Sequence, residues 1–182
     1  MKKLAFFPIC VVSLMLLTPP MARPAETKNA VAAHTQDLVK LEGDKLVPFK
    51  SAEFLKAPYT VIYFSAGWCP DCRRFSPALV EAYGKQSKDR PRFEVVLFSM
   101  DKTAESMLKF MKAENMNWPA IAFDKVGAAE DLKKYYSGHG IPCLSVIDPE
   151  GKLVLQSQSD QDALEVLKQL KDFLDRPELK PR

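Results

Sequence analysis

The sequence predicts a single α/β domain in which helices flank a central mixed β-sheet. The apolar, β-branched runs at 59–65 and 93–98 are typical of buried central strands. A segment with helical spacing of its apolar residues separates the two runs, as a crossover between parallel strands requires. A turn at 148–151 joins two further extended segments into an antiparallel hairpin, so both strand directions are expected in the sheet.

Each predicted strand is a short apolar run bounded by turn or charged residues. In chain order the predicted strands lie at 46–49, 59–65, 93–98, 120–123, 142–147 and 152–156. The last two are joined by a turn with Pro149 at its second position and Gly151 at its fourth, where these residue types are favoured.

The predicted helices lie at 51–55, 69–88, 103–115, 128–136 and 161–174. In the longer ones, apolar residues recur three or four positions apart and so share one face. Ser51 and Asp160 are the predicted N-caps of the first and the last helix. On the last helix, the residues expected to face the core are Leu164, Leu167, Leu170 and Leu174.

Composition and charge exclude one class of partner. The chain has 182 residues, enough for one domain with a substantial core, and its 47% hydrophobic and 27% charged residues are ordinary for a globular protein. Its formal net charge of +3 falls to +1 if Lys2 and Lys3 are removed with a leader, and no basic stripe remains. We therefore expect no nucleic-acid partner.

The N-terminus has the pattern of a secretory signal peptide. Two lysines precede an apolar stretch at 4–17, which is about 14 residues long, whereas a helix needs roughly 20 to span a bilayer. Ala22 ends one candidate cleavage region and Ala25 another; an uncleaved membrane anchor is the alternative. We expect a periplasmic or secreted protein divided into a signal peptide at 1–22, a flexible linker at 23–43, a domain at 44–176 and a tail at 177–182.

Export changes the interpretation of the four cysteines. Cys10 leaves with the leader, and the odd number that remains does not suit a framework of structural disulfides. Cys69 and Cys72 lie three residues apart at the start of a predicted helix, on one face and within disulfide reach. We therefore expect a redox-active disulfide, Cys69–Cys72, and one additional thiol, Cys143.

Cys69 stands where a predicted strand ends and a helix begins. The N–H groups and the dipole of a helix N-terminus favour a thiolate over a thiol, so Cys69 is the predicted nucleophile. Asp71 lies two residues away and should oppose the thiolate, although Arg73 or Arg74 offsets part of its charge. We expect a more reducing pair than a neutral residue at position 71 would give.

The segment 61–77 resembles the active-site segment of the thioredoxin superfamily. It is most similar to the tryparedoxin and nucleoredoxin branch, which shows the pattern Tyr-Phe-Ser-Ala-x-Trp-Cys-x-x-Cys-Arg. Later segments at 117–120, 140–142 and 146–151 resemble the same family in the same order. The resemblance extends over roughly residues 46–174.

The resemblance implies a thioredoxin-like fold in which the redox pair lies beside a loop with Pro142 in the cis form. Cys69 corresponds to the attacking cysteine and Cys72 to the resolving cysteine. The backbone of Ile141 corresponds to the edge that pairs with a substrate peptide, and Trp68 flanks the nucleophile. The supporting residues around the pair are Pro70, Asp71, Arg73 and Cys143.

One position departs from the family pattern. Many cytosolic thioredoxins keep a buried acid six residues before the first cysteine, where this chain has Tyr63. A tyrosine hydroxyl does not ionise near neutral pH. The proton of Cys72 must therefore leave through water, another side chain, or no specialised base.

Cys143 directly follows Pro142 and admits three interpretations. It is a small buried residue of a strand, as we expect, or a redox participant that forms an alternative disulfide. The third interpretation is a soft-metal site in which Cys143 joins Cys69, Cys72 and, as a further ligand, His139.

These features predict an exported thiol–disulfide oxidoreductase that reduces disulfides in proteins and is recharged by an upstream thiol reductant. The alternatives are a disulfide oxidase or isomerase, and a thioredoxin-like module that binds copper or zinc. The sequence contains no Gly-rich phosphate loop, so we expect no organic cofactor. In the leading interpretation the site also holds no metal. We expect a monomer with no membrane partner beyond the leader.

Overall fold

The structure is a computed structural model that describes residues 30–49, 54, 57–86, 91–158 and 162–175. Within these ranges the strands are β1 (Leu38–Glu42), β2 (Lys45–Pro48), β3 (Thr60–Ser65), β4 (Glu94–Ser99), β5 (Ala120–Ile121), β6 (Cys143–Ile147) and β7 (Leu153–Gln156). The α-helices are α1 (Ala30–Ala33), α2 (Pro70–Gly84), α3 (Ala104–Ala113) and α4 (Ala163–Leu174). The described strands form one sheet in the order β2-β1-β5-β4-β3-β6-β7.

The interior strand β3 lies next to the central strand β4, and all of its residues are buried. It pairs in parallel with β4 and antiparallel with β6, and α2 crosses between the two parallel strands. The sheet is therefore mixed, and the predicted fold class is confirmed. Because β3 and β4 are parallel, their carboxyl ends meet at one edge, and the loops that leave this edge can approach each other.

Helices cover both faces of the sheet, and each face has its own core. Residues of α2, α3 and α4 pack on the face to which Val61 and Tyr63 point. Ile62 and Phe64 point to the opposite face, where α1 and the 3₁₀ helix Glu130–Tyr135 lie. This alternation along β3 decides which side chains can reach the start of α2.

Residues 30–43 differ from the flexible linker expected there. Val31 is fully buried in the second core, and β1 pairs antiparallel with both β2 and β5. The linker prediction is wrong for this segment because its strand character depends on the neighbouring strands rather than on a strong apolar period of its own. Residues 23–29 lie outside the described ranges.

The last helix differs from its prediction in two details. Asp162 precedes α4 and makes no side-chain cap, while Asp160 lies outside the described residues. Leu164, expected to face the core, is 58% exposed. The buried face instead contains Ala163, Val166, Leu167, Leu170 and Leu174. A run of three-residue steps drifts around a helix with 3.6 residues per turn, which carries Leu164 off that face.

The segment 128–136 is also different, since a 3₁₀ helix replaces the predicted α-helix. The proposed leader, the tail at 177–182 and most of the predicted helix 51–55 lie outside the described residues. None of the helices within the described ranges combines the length and the hydropathy that crossing a bilayer requires.

Candidate redox site

Cys69 occupies the N-cap of α2, between the helix and the loop before β6. The N–H of Cys72 donates to Cys69 Sγ at 3.3 Å, and the Cys69 thiol donates to the Ile141 carbonyl at 3.3 Å. Pro70 begins the helix, a position where the missing N–H of proline costs no intrahelical hydrogen bond. The Cys69 sulfur therefore lies between a helix N-terminus and the backbone of Ile141.

Cys72 lies one turn further along α2 and is fully buried, whereas Cys69 retains 5% exposure. Both are free thiols in this structure. Burial raises the pKa of the Cys72 thiol to about 12, and its hydrogen bond with Cys69 adds to the rise. Cys69 is therefore the sulfur that a partner can reach, and Cys72 is a protonated thiol at neutral pH.

Tyr63 lies six residues before Cys69, at the position where a buried acid would have accepted the Cys72 proton. Its hydroxyl is hydrogen-bonded with Ser76 Oγ at 2.9 Å, and the Ser76 hydroxyl donates to the Cys72 carbonyl at 2.8 Å. Burial raises the pKa of Tyr63 far above its ordinary value of 10.0. Tyr63 therefore ties β3 to the first turn of α2 and does not accept the Cys72 proton at neutral pH.

The loop from β3 to α2 is held by a carboxylate that the sequence analysis missed. Asp101 follows β4 and is buried, and its Oδ1 accepts the Gly67 N–H at 3.0 Å. Its Oδ2 accepts the Ser99 hydroxyl at 2.9 Å. A polar residue just after a strand parallel to β3 was a signal for this position, because such strands end at the same edge of the sheet.

Gly67 is required by a close approach of α3. A Cβ at this position would lie 2.8 Å from the Cβ of Phe110. Beside it, Trp68 is 57% exposed, and its indole N–H donates to the Met100 carbonyl at 3.1 Å. A groove of about 530 Å³ opens between this loop and α3, with Trp68, Phe110 and Lys102 among its walls. The exposed indole thus forms one side of the approach to Cys69.

Asp71 forms an ion pair with Arg74, one turn further along α2. The sequence left Arg73 and Arg74 as equal candidates for offsetting this charge. Arg73 instead lines the groove next to Glu114, where it counteracts the rise that burial causes in the pKa of that carboxyl. The negative charge of Asp71 is therefore compensated locally by Arg74.

The loop before β6 has the peptide form that the resemblance implies, because the Ile141–Pro142 bond is cis. Cys143 begins β6 and is buried, but strand alternation points it to the second core, whereas Cys69 and Cys72 belong to the first. Its sulfur contacts the hydroxyls of Ser137 at 3.6 Å and Ser145 at 3.9 Å. Cys143 is therefore a buried strand residue, as expected.

The structure does not bring the three thiols together as a metal site. Cys143 packs in the core on the opposite face of the sheet from Cys69 and Cys72. Among the described residues, no group of three or more His, Cys, Asp or Glu side chains is arranged to hold a metal ion. The placement on opposite faces likewise favours the strand-residue interpretation of Cys143 over an alternative disulfide.

Comparison with known proteins identifies relatives in sequence. Residues 58–153, more than half of the chain, match the family described as thioredoxin-like. Nucleoredoxin from Xenopus laevis is 35% identical over 116 residues, which are 64% of this chain and 27% of that protein. Probable nucleoredoxin 1 from Arabidopsis thaliana is 40% identical over 101 residues, 55% of this chain and 17% of that protein. The chain spans about a quarter or less of the length of these relatives.

Solved structures give a similar result. Tryparedoxin I from Leishmania major is 29% identical with a TM-score of 0.58, covering 85% of this chain and 100% of that chain. Tryparedoxin II from C. fasciculata is 26% identical with a TM-score of 0.60, and the match covers 80% of this chain and 91% of that chain. A thioredoxin from Wuchereria bancrofti is 30% identical with a TM-score of 0.58, and the match covers 76% of this chain and 93% of that chain. The range that matches the family includes both Cys69 and Cys72.

Proposed function

This chain belongs to the thioredoxin-like family, in its tryparedoxin- and nucleoredoxin-like branch, and we propose that it is an exported enzyme that reduces disulfides in proteins. Redox proteins of this family act on disulfide-containing substrates with reductant partners. The observation that carries the proposal is the unequal placement of two neighbouring sulfurs. Cys69 lies at a helix N-terminus beside an exposed indole, and Cys72 lies buried 3 positions behind it.

The proposed reaction is a two-step exchange. The Cys69 thiolate attacks a disulfide of the partner, so that one partner sulfur leaves and a mixed disulfide forms. Cys72 then attacks the Cys69 sulfur, the bond from Cys69 to the partner breaks, and the Cys69–Cys72 disulfide forms. The partner gains two electrons and leaves as a dithiol. An upstream thiol reductant returns the pair to the reduced form.

The surroundings of Cys69 favour reduction over oxidation of substrates. A strongly oxidising pair has a reduced form that its surroundings stabilise. Here Cys69 Sγ accepts one backbone N–H, and within the described residues no charged side chain is hydrogen-bonded to it. Of the two arginines at the start of α2, Arg74 is paired with Asp71 and Arg73 lines the groove next to Glu114. The reduced form therefore receives little extra stabilisation, which favours a pair that gives electrons away.

The approach to Cys69 suits a peptide substrate. The Ile141 carbonyl lies 3.3 Å from Cys69 Sγ, so an extended peptide that pairs with this backbone would bring its disulfide to the nucleophile. Trp68, which directly precedes Cys69 in the chain, lines the groove beside α3. We propose that Ile141, Pro142 and Trp68 form the substrate-binding surface.

The proposal of export rests on the pattern of residues 1–22. Expression in a bacterium with a periplasm, followed by N-terminal sequencing of the protein from that compartment, tests it. We expect the sequence to begin after Ala22, or after Ala25 if the second candidate site is used. Recovery of the full-length chain in the cytosol alone would contradict export.

Insulin reduction by dithiothreitol tests the enzymatic activity. The mature chain should accelerate precipitation of the insulin chains, and Cys69→Ser should abolish the acceleration. Cys72→Ser should trap the mixed disulfide, which mass spectrometry detects. Cys143→Ser is the matched control and should keep the wild-type rate, because this thiol lies on the other face of the sheet.

Two results would contradict the two-cysteine scheme. One is wild-type protein that is no faster than dithiothreitol alone. The other is Cys72→Ser that retains full multiple turnover. A reduction potential well above that of protein substrates would instead identify the chain as an oxidase or isomerase.

A further inference from the structure

The resolving step requires Cys72 to act as a thiolate inside the protein. Cys72 is fully buried, and burial holds its pKa at about 12. The titratable groups that face it are Cys69 and Tyr63, and neither is a carboxylate. Within the described residues, no carboxylate is hydrogen-bonded to Cys72. Stabilisation of the thiolate must therefore come from neutral hydrogen-bond donors.

Ser65 supplies an unused donor at this point in the fold. It is the last residue of β3, is fully buried, and its hydroxyl has no hydrogen-bond partner within the described residues. A buried hydroxyl without a partner is uncommon in proteins, because it gives up its hydrogen bonds to water. Ser65 lies two residues from Tyr63 and so points to the same face of the sheet, the face that Cys72 contacts.

The Ser65 hydroxyl lies close enough to Cys72 to affect its ionisation. The nearby Ser65 hydroxyl and the Ala66 backbone lower the pKa of Cys72 and oppose the effect of burial. In the resting dithiol the hydroxyl makes no hydrogen bond. Rotation about its C–O bond is free to aim the proton at a thiolate when one forms.

The two neighbouring hydroxyls are already committed. Ser76 donates to the Cys72 carbonyl, and Tyr63 is hydrogen-bonded with Ser76. Both act on the backbone of α2 and not on the Cys72 sulfur. Ser65 is therefore the side chain of this buried cluster whose donor remains available to the reacting atom.

We propose that the Ser65 hydroxyl is the hydrogen-bond donor that stabilises the Cys72 thiolate while Cys72 attacks the mixed disulfide. The inference rests on the proposed function. In this step the S–S bond between Cys69 and the partner breaks as the Cys72–Cys69 bond forms. The departing partner sulfur takes up the electron pair and, directly or through solvent, the proton that Cys72 releases. Ser65 keeps its own proton throughout.

The experiment separates the two attacks with an aromatic disulfide, 5,5′-dithiobis(2-nitrobenzoic acid). Attack by Cys69 on this reagent releases one coloured thiolate, and attack by Cys72 on the resulting mixed disulfide releases a second. In Ser65→Ala the second phase should slow by roughly tenfold or more, as expected for the loss of a hydrogen bond to a charged group. The first phase should keep its wild-type rate and shows in the same trace that the site is folded.

Two further variants control for structure. Ser65→Thr keeps the hydroxyl on a strand that tolerates β-branched residues, and it should restore the second phase. Ser145→Ala removes an equally buried hydroxyl from the neighbouring strand β6, on the opposite face of the sheet, and should leave both phases unchanged. Cys72→Ser should release a single equivalent of thiolate.

The outcomes distinguish the inference from the function on which it rests. If wild-type protein releases only one equivalent, the two-cysteine exchange itself is wrong. If wild-type protein releases two and Ser65→Ala keeps a second phase within about twofold of wild type, the exchange stands and the role of Ser65 is overturned. Equal slowing of both phases in Ser65→Ala would also overturn it, because the effect would then be structural.

Discussion

The carboxylate of Asp101 links the end of β4 to the loop that precedes the redox pair. It accepts the Gly67 N–H and the Ser99 hydroxyl, although it is buried. Burial raises the pKa of Asp101 above its ordinary value of 3.8, and the two hydrogen bonds oppose the rise. A single buried side chain therefore positions Trp68 and Cys69 while its charge remains costly to bury.

Asp101→Asn should make stability less dependent on pH. Because the folded-state pKa of Asp101 is raised, the folded protein binds this proton more tightly than the unfolded chain does. Wild-type stability therefore falls as pH rises from about 3.8 through the raised pKa, and then levels off. The asparagine has no such loss, so its free energy of unfolding should increase relative to wild type over this range. Urea denaturation at a series of pH values measures the difference.

Asp101→Ala is the control for the hydrogen bonds. It removes the charge and also the acceptor of the Gly67 N–H, so it should be less stable than Asp101→Asn at every pH. A difference between wild type and Asp101→Asn that stays constant with pH would show that the carboxyl titrates alike in the folded and unfolded chains.

At the scale of the element, two leucines of α4 should differ in their contribution to the free energy of unfolding, because they lie on different faces of the helix. Leu170 is fully buried between the helix and the sheet, whereas Leu164 is 58% exposed. Leu170→Ala should lower the free energy of unfolding by about 2–5 kcal/mol, the cost of a cavity in a packed core. Leu164→Ala, the same change on the same helix, should stay within about 0.5 kcal/mol of wild type. Urea denaturation of both variants gives the comparison.

Equal losses in the two variants would mean that Leu164 faces the core as the sequence predicted.

The same helix, α4, contributes to the redox site indirectly. α4 packs against α2, which carries Cys69 and Cys72, so a loosened α4 should also lower the insulin-reduction rate near the unfolding midpoint.

At the scale of the whole molecule, a reducing pair should make the oxidised protein more stable than the reduced one. A fold that favours the Cys69–Cys72 disulfide over the dithiol is, by linkage, stabilised by that disulfide. Chain entropy for so short a loop gives about 2 kcal/mol. Calorimetry of the two forms should therefore place the oxidised midpoint roughly 4–8 °C higher.

The comparison needs a form that cannot form the bridge. Cys72→Ser should show one midpoint in oxidant and in reductant. If the reduced wild-type protein is instead the more stable form, the pair is oxidising and the reductase proposal fails in favour of an oxidase.

Much of this architecture could be predicted from local patterns. The order of strands and helices from 57 to 156 agrees with apolar periodicity, because the periods of 2 and 3.6 residues are set by backbone geometry. The proximity of Cys69 and Cys72 follows from their spacing, since three residues on a helix amount to nearly one turn. The resemblance added Pro142, whose cis bond the structure confirms.

Contacts between distant segments could not be predicted in this way. Whether Cys143 faces the redox pair or the opposite core depends on which residues of β6 and β3 lie opposite each other. The spacing of residues in the sequence does not determine this register. The strand β1 exists because β2 and β5 lie on either side of it. Asp101 reaches Gly67 across 34 positions of sequence, and the Ser65 hydroxyl has no hydrogen-bond partner in the part of the chain that the structure describes. Local geometry thus specified the pair of sulfurs, and only long-range packing specified the groups that surround them.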